Sequence, residues 1–413
     1  MAKANRQFFE RFAKKQVASA LTRLPLTIVL GPRYSGKTTL VRAFDGEGRH
    51  YFNLDDRIIL ESARYDPMGF VRNLDRVTID EVQRAPDLIR AIEQSIDSDP
   101  RPGRFLLTAS ANILSLPQIP ESLATRTEIV TLFPLSKAEI DGKEPSFLKK
   151  AFTGQLVQPG STLIGGELIQ CVLAGGYPEM LLRQDLRRRQ AWVRDSIGAI
   201  VERDVPAIAA VEKATRLPNL LKVLALHSGQ LTNFKQIGTQ LGIDDKTTRK
   251  YTAILEKLFL VQVVPPWFQS RLPRLVKTPK LHFLDSGLLA AILGLTPEKV
   301  AKSRPAFAAL LQTFVFAEIM NLIACSDEIF TINHHRDKDR NEVGFLIEHQ
   351  SGAIVAIDVK PAATVFARDF KGLQKVQNLC GENLKLGVML YDGTRIVPFG
   401  DRLFAAPISC LWS

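Results

Sequence analysis

Two clusters of residues in this chain could do chemistry together. The first is Gly31-Pro32-Arg33-Tyr34-Ser35-Gly36-Lys37-Thr38-Thr39, which fits the pattern G-x-x-x-x-G-K-[ST]. Gly31 and Gly36 permit a tight turn that aims successive backbone N–H groups at phosphate oxygens. Lys37 supplies a point charge for the β- and γ-phosphates, and Thr38 offers a hydroxyl to Mg²⁺. The helix that follows presents its positive N-terminus to the same anion. The second cluster, Val77-Thr78-Ile79-Asp80-Glu81, is an apolar strand ending in two carboxylates, the Walker B pattern. Asp80 is expected to hold Mg²⁺ through water, and Glu81 to orient or deprotonate an attacking water. The chemistry expected is hydrolysis of ATP, driven by positioning and electrostatic stabilisation without a covalent enzyme intermediate.

Two more side chains are candidates on weaker signals. A strand ends at Leu107-Thr108-Ala109-Ser110-Ala111-Asn112, where Ser110 could touch the γ-phosphate or the water, with Asn112 in reserve. A plain turn or helix cap would use the same residues. Arg126 could act as an arginine finger, from its own chain or from a neighbouring copy. A solvated arginine ahead of a strand is the alternative.

Elements must position these groups. The pattern predicts a helix at 5–23, then strands at 26–30, 51–54, 76–79, 105–108 and 127–132 separated by helices, notably 86–96. That alternation predicts an α/β fold with a parallel sheet covered on both faces. After Pro134 the pattern turns helical, with turn signals at Pro159-Gly160, Gly165-Gly166 and Gly175-Gly176. Residues 231–264 then read as helix, glycine turn, helix and strand. Lys246, Thr247, Arg249 and Lys250 stand near the start of the second helix, where a recognition helix would meet duplex DNA. Asp244 and Asp245 beside them weaken that footprint, and a packing or protein-contact module remains the alternative. From about 278 the reading is mixed, with strands at 280–284, 342–347 and 354–359. The expected divisions are 1–140, 141–275 and 276–413.

The 413 residues are 46% hydrophobic and 23% charged, the mixture of an ordinary globular chain rather than a disordered or fibrous one. The formal charge of +11 permits a polyanionic partner without demonstrating one. Cys171, Cys325, Cys380 and Cys410 are scattered with no C-x-x-C pair, so zinc knuckles have no support. The first residues lack the apolar stretch of a signal peptide. Continuous apolar runs reach about half of the roughly 20 residues that a membrane span needs. A cytoplasmic protein without a membrane partner is expected.

The segments GPRYSGKTTL, YFNLDD, VTIDEVQRAPDL, FLLTASAN and TLFPLSKAEI, in this order, resemble the AAA+-type ATPases that carry a C-terminal DUF4143 region. LAGGYPEMLL, IVERDV, YTAILEKLFLV, PKLHFLDSGLLAAILG and AIDVK are similar to the second half of that family, so the resemblance spans nearly the whole chain. It implies a Mg-ATP-binding AAA+ core, a helical region with a winged helix, and a C-terminal α/β domain similar to PD-(D/E)XK nucleases. Rings are common among AAA+ proteins, which leaves a homo-oligomer open. The nuclease-like part of the family resembles E-x-F-V-x-x-E, E-V-D-F and (D/E)-V-K. Here Glu318, Asp358 and Lys360 match, whereas Gln312 and Gly344 replace acids. Glycine has no side chain to ligate a metal, so binding or assembly is expected of this domain rather than cutting. His334 and His335, near Asp337 and Asp339, are expected in a solvated loop. The functional expectation is an ATPase whose nucleotide state is coupled to its C-terminal modules. The alternatives are a nucleotide-gated DNA-binding switch with little turnover and a weak metal-dependent nuclease.

Overall fold

The computed structural model describes residues 9–46, 48–113, 121–183, 185–209, 214–267 and 277–413. Five parallel strands form the first sheet: β1 (Leu26–Leu30), β2 (Arg49–Asn53), β3 (Arg76–Asp80), β4 (Phe105–Ala109) and β5 (Thr127–Thr131), in the order β2-β3-β4-β1-β5. Every residue of β1 and β4 is buried, as a central parallel strand with helices on both faces requires. The order places β4 between the strand that enters the glycine loop and the strand that ends in the acid pair. All three therefore deliver their C-terminal ends to one edge of the sheet. Each strand expected from the sequence is present, with ends shifted by one or two residues.

The middle of the chain is helical. Helices Leu217–Leu226, Phe234–Leu241 and Asp245–Lys257 come in order, with β6 (Gln230–Leu231) between the first two, and β7 (Val261–Val264) and β8 (Lys280–Phe283) follow. These three strands pair antiparallel in the order β6-β8-β7. β8 was expected to open the C-terminal domain; its pairing with both β6 and β7 puts it in the middle region instead. The helix-turn-helix is built by local chemistry. Asn233 caps the first helix through the Gln236 N–H, Gly242 ends it in the left-handed region, and Asp244 caps the second through the Thr247 N–H.

Six strands make the C-terminal sheet: β9 (Phe330–Arg336), β10 (Glu342–His349), β11 (Ile354–Lys360), β12 (Leu384–Tyr391), β13 (Val397–Gly400) and β14 (Leu403–Pro407). Their order is β13-β14-β12-β11-β10-β9. Alternation along β10 and β11, interrupted by a register shift between Val343 and Leu346, sends Phe345, Ile347, Val355 and Ile357 toward the helix Arg304–Ala324, and Val343, Leu346, Ile354 and Ala356 toward the helix Lys371–Cys380. Arg304–Ala324 is long and apolar enough to cross a membrane by composition, a feature that the sequence reading did not single out. It buries Phe307, Leu310, Leu311, Phe314, Val315, Phe316 and Ile319 inside the protein. His334 and His335 are not in a loop; both lie buried on β9. The four cysteines are free thiols.

Candidate active site

The glycine loop leaves β1 against the end of β5. A Cβ on Gly31 would stand 2.1 Å from the Leu132 carbonyl oxygen, so only glycine allows this approach. Gly36, at φ +99°, closes the loop, and the helix Lys37–Arg42 starts at once. Lys37 is buried, and its Nζ donates to the carbonyls of Gly31 (3.0 Å) and Pro32 (2.9 Å). Burial lowers the pKa of its ammonium, and the charges of Glu81 and Asp80 act against that loss. Ser35 Oγ is buried with no hydrogen-bond partner among the described residues.

β3 brings the acid pair to the loop. Asp80 is buried and accepts from three hydroxyls: Thr38 Oγ1 (2.7 Å), Tyr51 Oη (2.8 Å) and Thr108 Oγ1. Glu81 sits in the left-handed region at φ +63°, an uncommon conformation for a residue with a side chain. Its backbone N–H donates to Thr108 Oγ1 at 3.0 Å. Its carboxylate accepts from Ser110 Oγ at 2.8 and 2.9 Å and from Gln83 Nε2 at 2.5 Å. Ser110 thus reaches the group expected to handle the water. Asn112 sits further out, where its N–H donates to the Lys257 carbonyl at 2.7 Å.

Thr38 Oγ1 and the Asp80 carboxylate lie together at the loop, a donor set suited to Mg²⁺, which keeps most of its waters and takes few carboxylates beside phosphate oxygens. Among the described residues, no group of three or more His, Cys, Asp and Glu side chains is arranged to hold a metal by itself. A cleft of about 430 Å³ opens over the loop, lined by Arg33 to Thr39, Arg11, Asp55, Glu81 and Glu179, with Phe9, Leu135, Pro178 and Leu182 adding apolar surface. Its volume is that of a small-ligand pocket.

Arg126 is not brought to this cleft. It ends a 3-10 turn just before β5, at the sheet edge where β1 begins, while the glycine loop lies at the edge where β1 ends. Five strand residues, about 16 Å, separate the two edges, and Arg126 pairs with Asp97. As a finger in its own chain's site, the assignment is corrected.

Several residues of the site carry no motif in the sequence. Arg11, buried, donates to Glu139 Oε1 (2.9 Å), to the Ser35 carbonyl (2.6 Å) and to the Phe133 carbonyl (2.6 Å), tying the loop to the end of β5. Its partners are far away in sequence, so no local signal could reveal it. Tyr51 and Thr108 lie in segments that the resemblance covers, but their types alone did not mark them. Arg33 Nη1 meets Asp204 Oδ1 at 2.9 Å, and its Nη2 meets Asp55 Oδ2 at 3.4 Å.

The residues that matched the nuclease pattern do not gather in this structure as metal ligands. Glu318 is turned away to accept the Lys137 backbone N–H at 2.9 Å, and Lys360 pairs with Asp369. Gln312 lies beside Gly229. Next to Asp358 and Glu342 stands Lys280, buried and paired with Glu342, which Arg336 also meets at 2.8 Å. Burial raises the Asp358 carboxyl to about 6 against the opposing charge of Lys280.

Residues 24–141 match the AAA domain, residues 165–299 a domain of unknown function (DUF8612), and residues 307–411 a domain of unknown function (DUF4143). Two relatives, the uncharacterized proteins Rv2008c of Mycobacterium tuberculosis and Mb2031c of Mycobacterium bovis, are each 26% identical over 401 residues. That span covers 96% of this chain and 83% of each relative. Solved structures with some similarity include RuvB of Thermotoga maritima (17% identity, 61% of this chain and 89% of that one, TM-score 0.30). AMPPCP-bound DnaA of Aquifex aeolicus is another (13% identity, 60% and 87%, TM-score 0.29).

Proposed function

We propose that this chain, which belongs to the AAA-type P-loop ATPases with a C-terminal DUF4143 region, binds Mg-ATP in the cleft over residues 31–39 and hydrolyses it. The observation that carries the reading is the convergence of Lys37, Thr38, Asp80, Glu81 and Ser110 on one sheet edge. The backbone of 31–39 and the Lys37 ammonium would cradle the triphosphate. Thr38 and Asp80 would hold Mg²⁺, which supplies charge neutralisation between the phosphates. Glu81, oriented by Ser110 and Gln83, would take the water proton. Phosphate release tests this directly: wild type should turn over, and Glu81→Gln should bind ATP with turnover lost. Equal, low release from both would overturn hydrolysis.

In the same reading, residues 217–283 are a winged helix and residues 307–411 a PD-(D/E)XK-like domain that has lost its metal site, with binding or assembly as its role. The helix-sheet order of the first, and its Lys280 standing beside Asp358 and Glu342 of the second, support this. The hydrogen bond from Asn112 to Lys257 joins the end of β4 to the second helix of the helix-turn-helix, a contact through which nucleotide state could reach it. Duplex DNA is the second reading for that module, favoured by the exposed Lys246 and Lys250. Arg249 adds little, since it pairs with Asp245 at 2.9 Å and lies over the Phe234 ring. Fluorescence anisotropy with duplex DNA, with and without ATP, tests it; absence of salt-dependent binding in both states dismisses DNA.

A further inference from the structure

We propose that the Arg33 side chain is a phosphate-charge-stabilising group of this site and that Asp204, from the 165–299 region, is its positioning residue. The inference rests on the ATPase reading above. It makes the active site composite, so that hydrolysis depends on a second region docked on the glycine loop.

Arg33 lies in the glycine loop and lines the cleft. Its two terminal nitrogens are each held by a carboxylate, Nη1 by Asp204 at 2.9 Å and Nη2 by Asp55 at 3.4 Å. Nε is buried and has no hydrogen-bond partner among the described residues. A guanidinium fixed in this way keeps a full positive charge beside the place where phosphate oxygens are expected, at little reorganisation cost. Burial works against its charge, yet Asp204 and Glu81 hold it more firmly protonated than usual.

Asp204 is placed by a break in helical register. The helix Leu186–Ala199 runs into one turn of π-helix, Ile200–Asp204, closed by the Val205 N–H on the Ile200 carbonyl. Pro206 follows and has no N–H to restore the regular bond to Glu202. Such single π-turns are frequent at functional sites. The same helix carries Trp192, whose ring meets Tyr34 of the glycine loop edge-on at 5.6 Å and Tyr177 at 5.6 Å. Two independent contacts therefore seat this helix on the loop. The Asp204 side chain is only 4% exposed, and its Oδ2 is buried with no hydrogen-bond partner among the described residues. A carboxylate serving only the stability of the fold would be better hydrogen-bonded than this.

The test is a double-mutant cycle in the full chain with Mg-ATP, using Arg33→Ala, Asp204→Asn and the pair. Phosphate release gives kcat and KM, and titration calorimetry with ATP in a Glu81→Gln background gives the dissociation constant independently of turnover. Arg33→Ala should lower kcat by about 10³-fold, in the range of an arginine finger. Asp204→Asn should lower it about 10-fold with KM moved much less, and the pair should be no worse than Arg33→Ala alone. Arg33→Lys, which keeps charge but loses the fork, should recover only part of the rate. Multiplicative losses in the pair, or full turnover by Arg33→Ala, would overturn the proposal. If wild type binds ATP but releases no phosphate, the hydrolysis reading fails by itself. The cycle is then judged on ATP affinity: non-additive weakening of about 10-fold supports the Arg33–Asp204 couple, and unchanged affinity overturns it.

Discussion

Glu318 offers a prediction whose sign and size both follow from its surroundings. It projects from the helix Arg304–Ala324 and is buried where that helix meets the start of the helix Lys137–Asp141. One of its oxygens accepts the N–H of Lys137, the first residue of the helix Lys137–Asp141 and so a donor without an intrahelical partner. Burial, with Glu139 and Asp141 adding negative charge nearby, raises its carboxyl from an ordinary 4.5 to about 8. At 1.36 kcal/mol per pH unit, that rise corresponds to about 5 kcal/mol against the charged form. The native state thus keeps a proton between pH 4.5 and 8 that the unfolded chain has released. The unfolded state binds fewer protons there, so stability is full below the lower value and falls as pH rises through the upper one. Glu318→Gln keeps an oxygen for Lys137 and removes the charge. It should match wild type near pH 4.5 and exceed it at pH 9, by up to about 5 kcal/mol. Thermal unfolding of both proteins from pH 5 to 9 reads this as a midpoint gap that widens with pH. A gap that stays constant, or a variant less stable than wild type at pH 9, would refute the assignment.

Further outcomes are expected elsewhere in the chain. Gly31→Ala places a methyl against the Leu132 carbonyl, so ATP affinity should fall at least tenfold in titration calorimetry; a dissociation constant like wild type's contradicts the loop geometry. Tyr51→Phe removes one of three hydroxyl donors to Asp80, a bond worth about 1.5–3 kcal/mol to a charged acceptor, and should lower kcat about tenfold in a phosphate-release assay. Lys280→Ala together with Gly344→Asp should create a cation site beside Asp358, detectable as terbium luminescence that wild type lacks. Lys280→Ala alone should cost about 1.5–3 kcal/mol in denaturant unfolding, because Glu342 loses one charged partner and keeps Arg336. If DNA binds, Lys246→Ala and Lys250→Ala should each reduce the salt slope of anisotropy titrations by about 1.

What the sequence disclosed and what it hid divide along the range of the interactions. The five strands of the first sheet, the glycine loop and the acid pair are each specified within a short stretch. Continuous burial on parallel strands writes an apolar run, and a phosphate cradle demands glycine and lysine at fixed spacing. Ser110 was legible for a related reason, since it follows the strand that lies between β1 and β3. Arg11, Asp204 and Tyr51 left no comparable mark. Their roles depend on partners 128, 171 and 29 residues away, and an arginine or aspartate reads the same alone whether it is solvated or buried in a pair. Arg126 failed in the opposite way. Its place before a strand was right, but a parallel sheet has two edges, and only pairing register tells which one a residue meets. β8 and the two histidines of β9 were misplaced because a four-residue strand, Lys-Leu-His-Phe, or two histidines among charges, do not state which sheet will pair with them. The +11 charge is local in the same sense. Around the cleft Arg11, Arg33 and Lys37 are each engaged by a backbone carbonyl or a carboxylate, so the surplus becomes a binding force only where an anion can compete for those partners. The triphosphate of ATP, entering over a loop that already holds two of these cations, meets that condition better than a duplex approaching Lys246 and Lys250 from solvent.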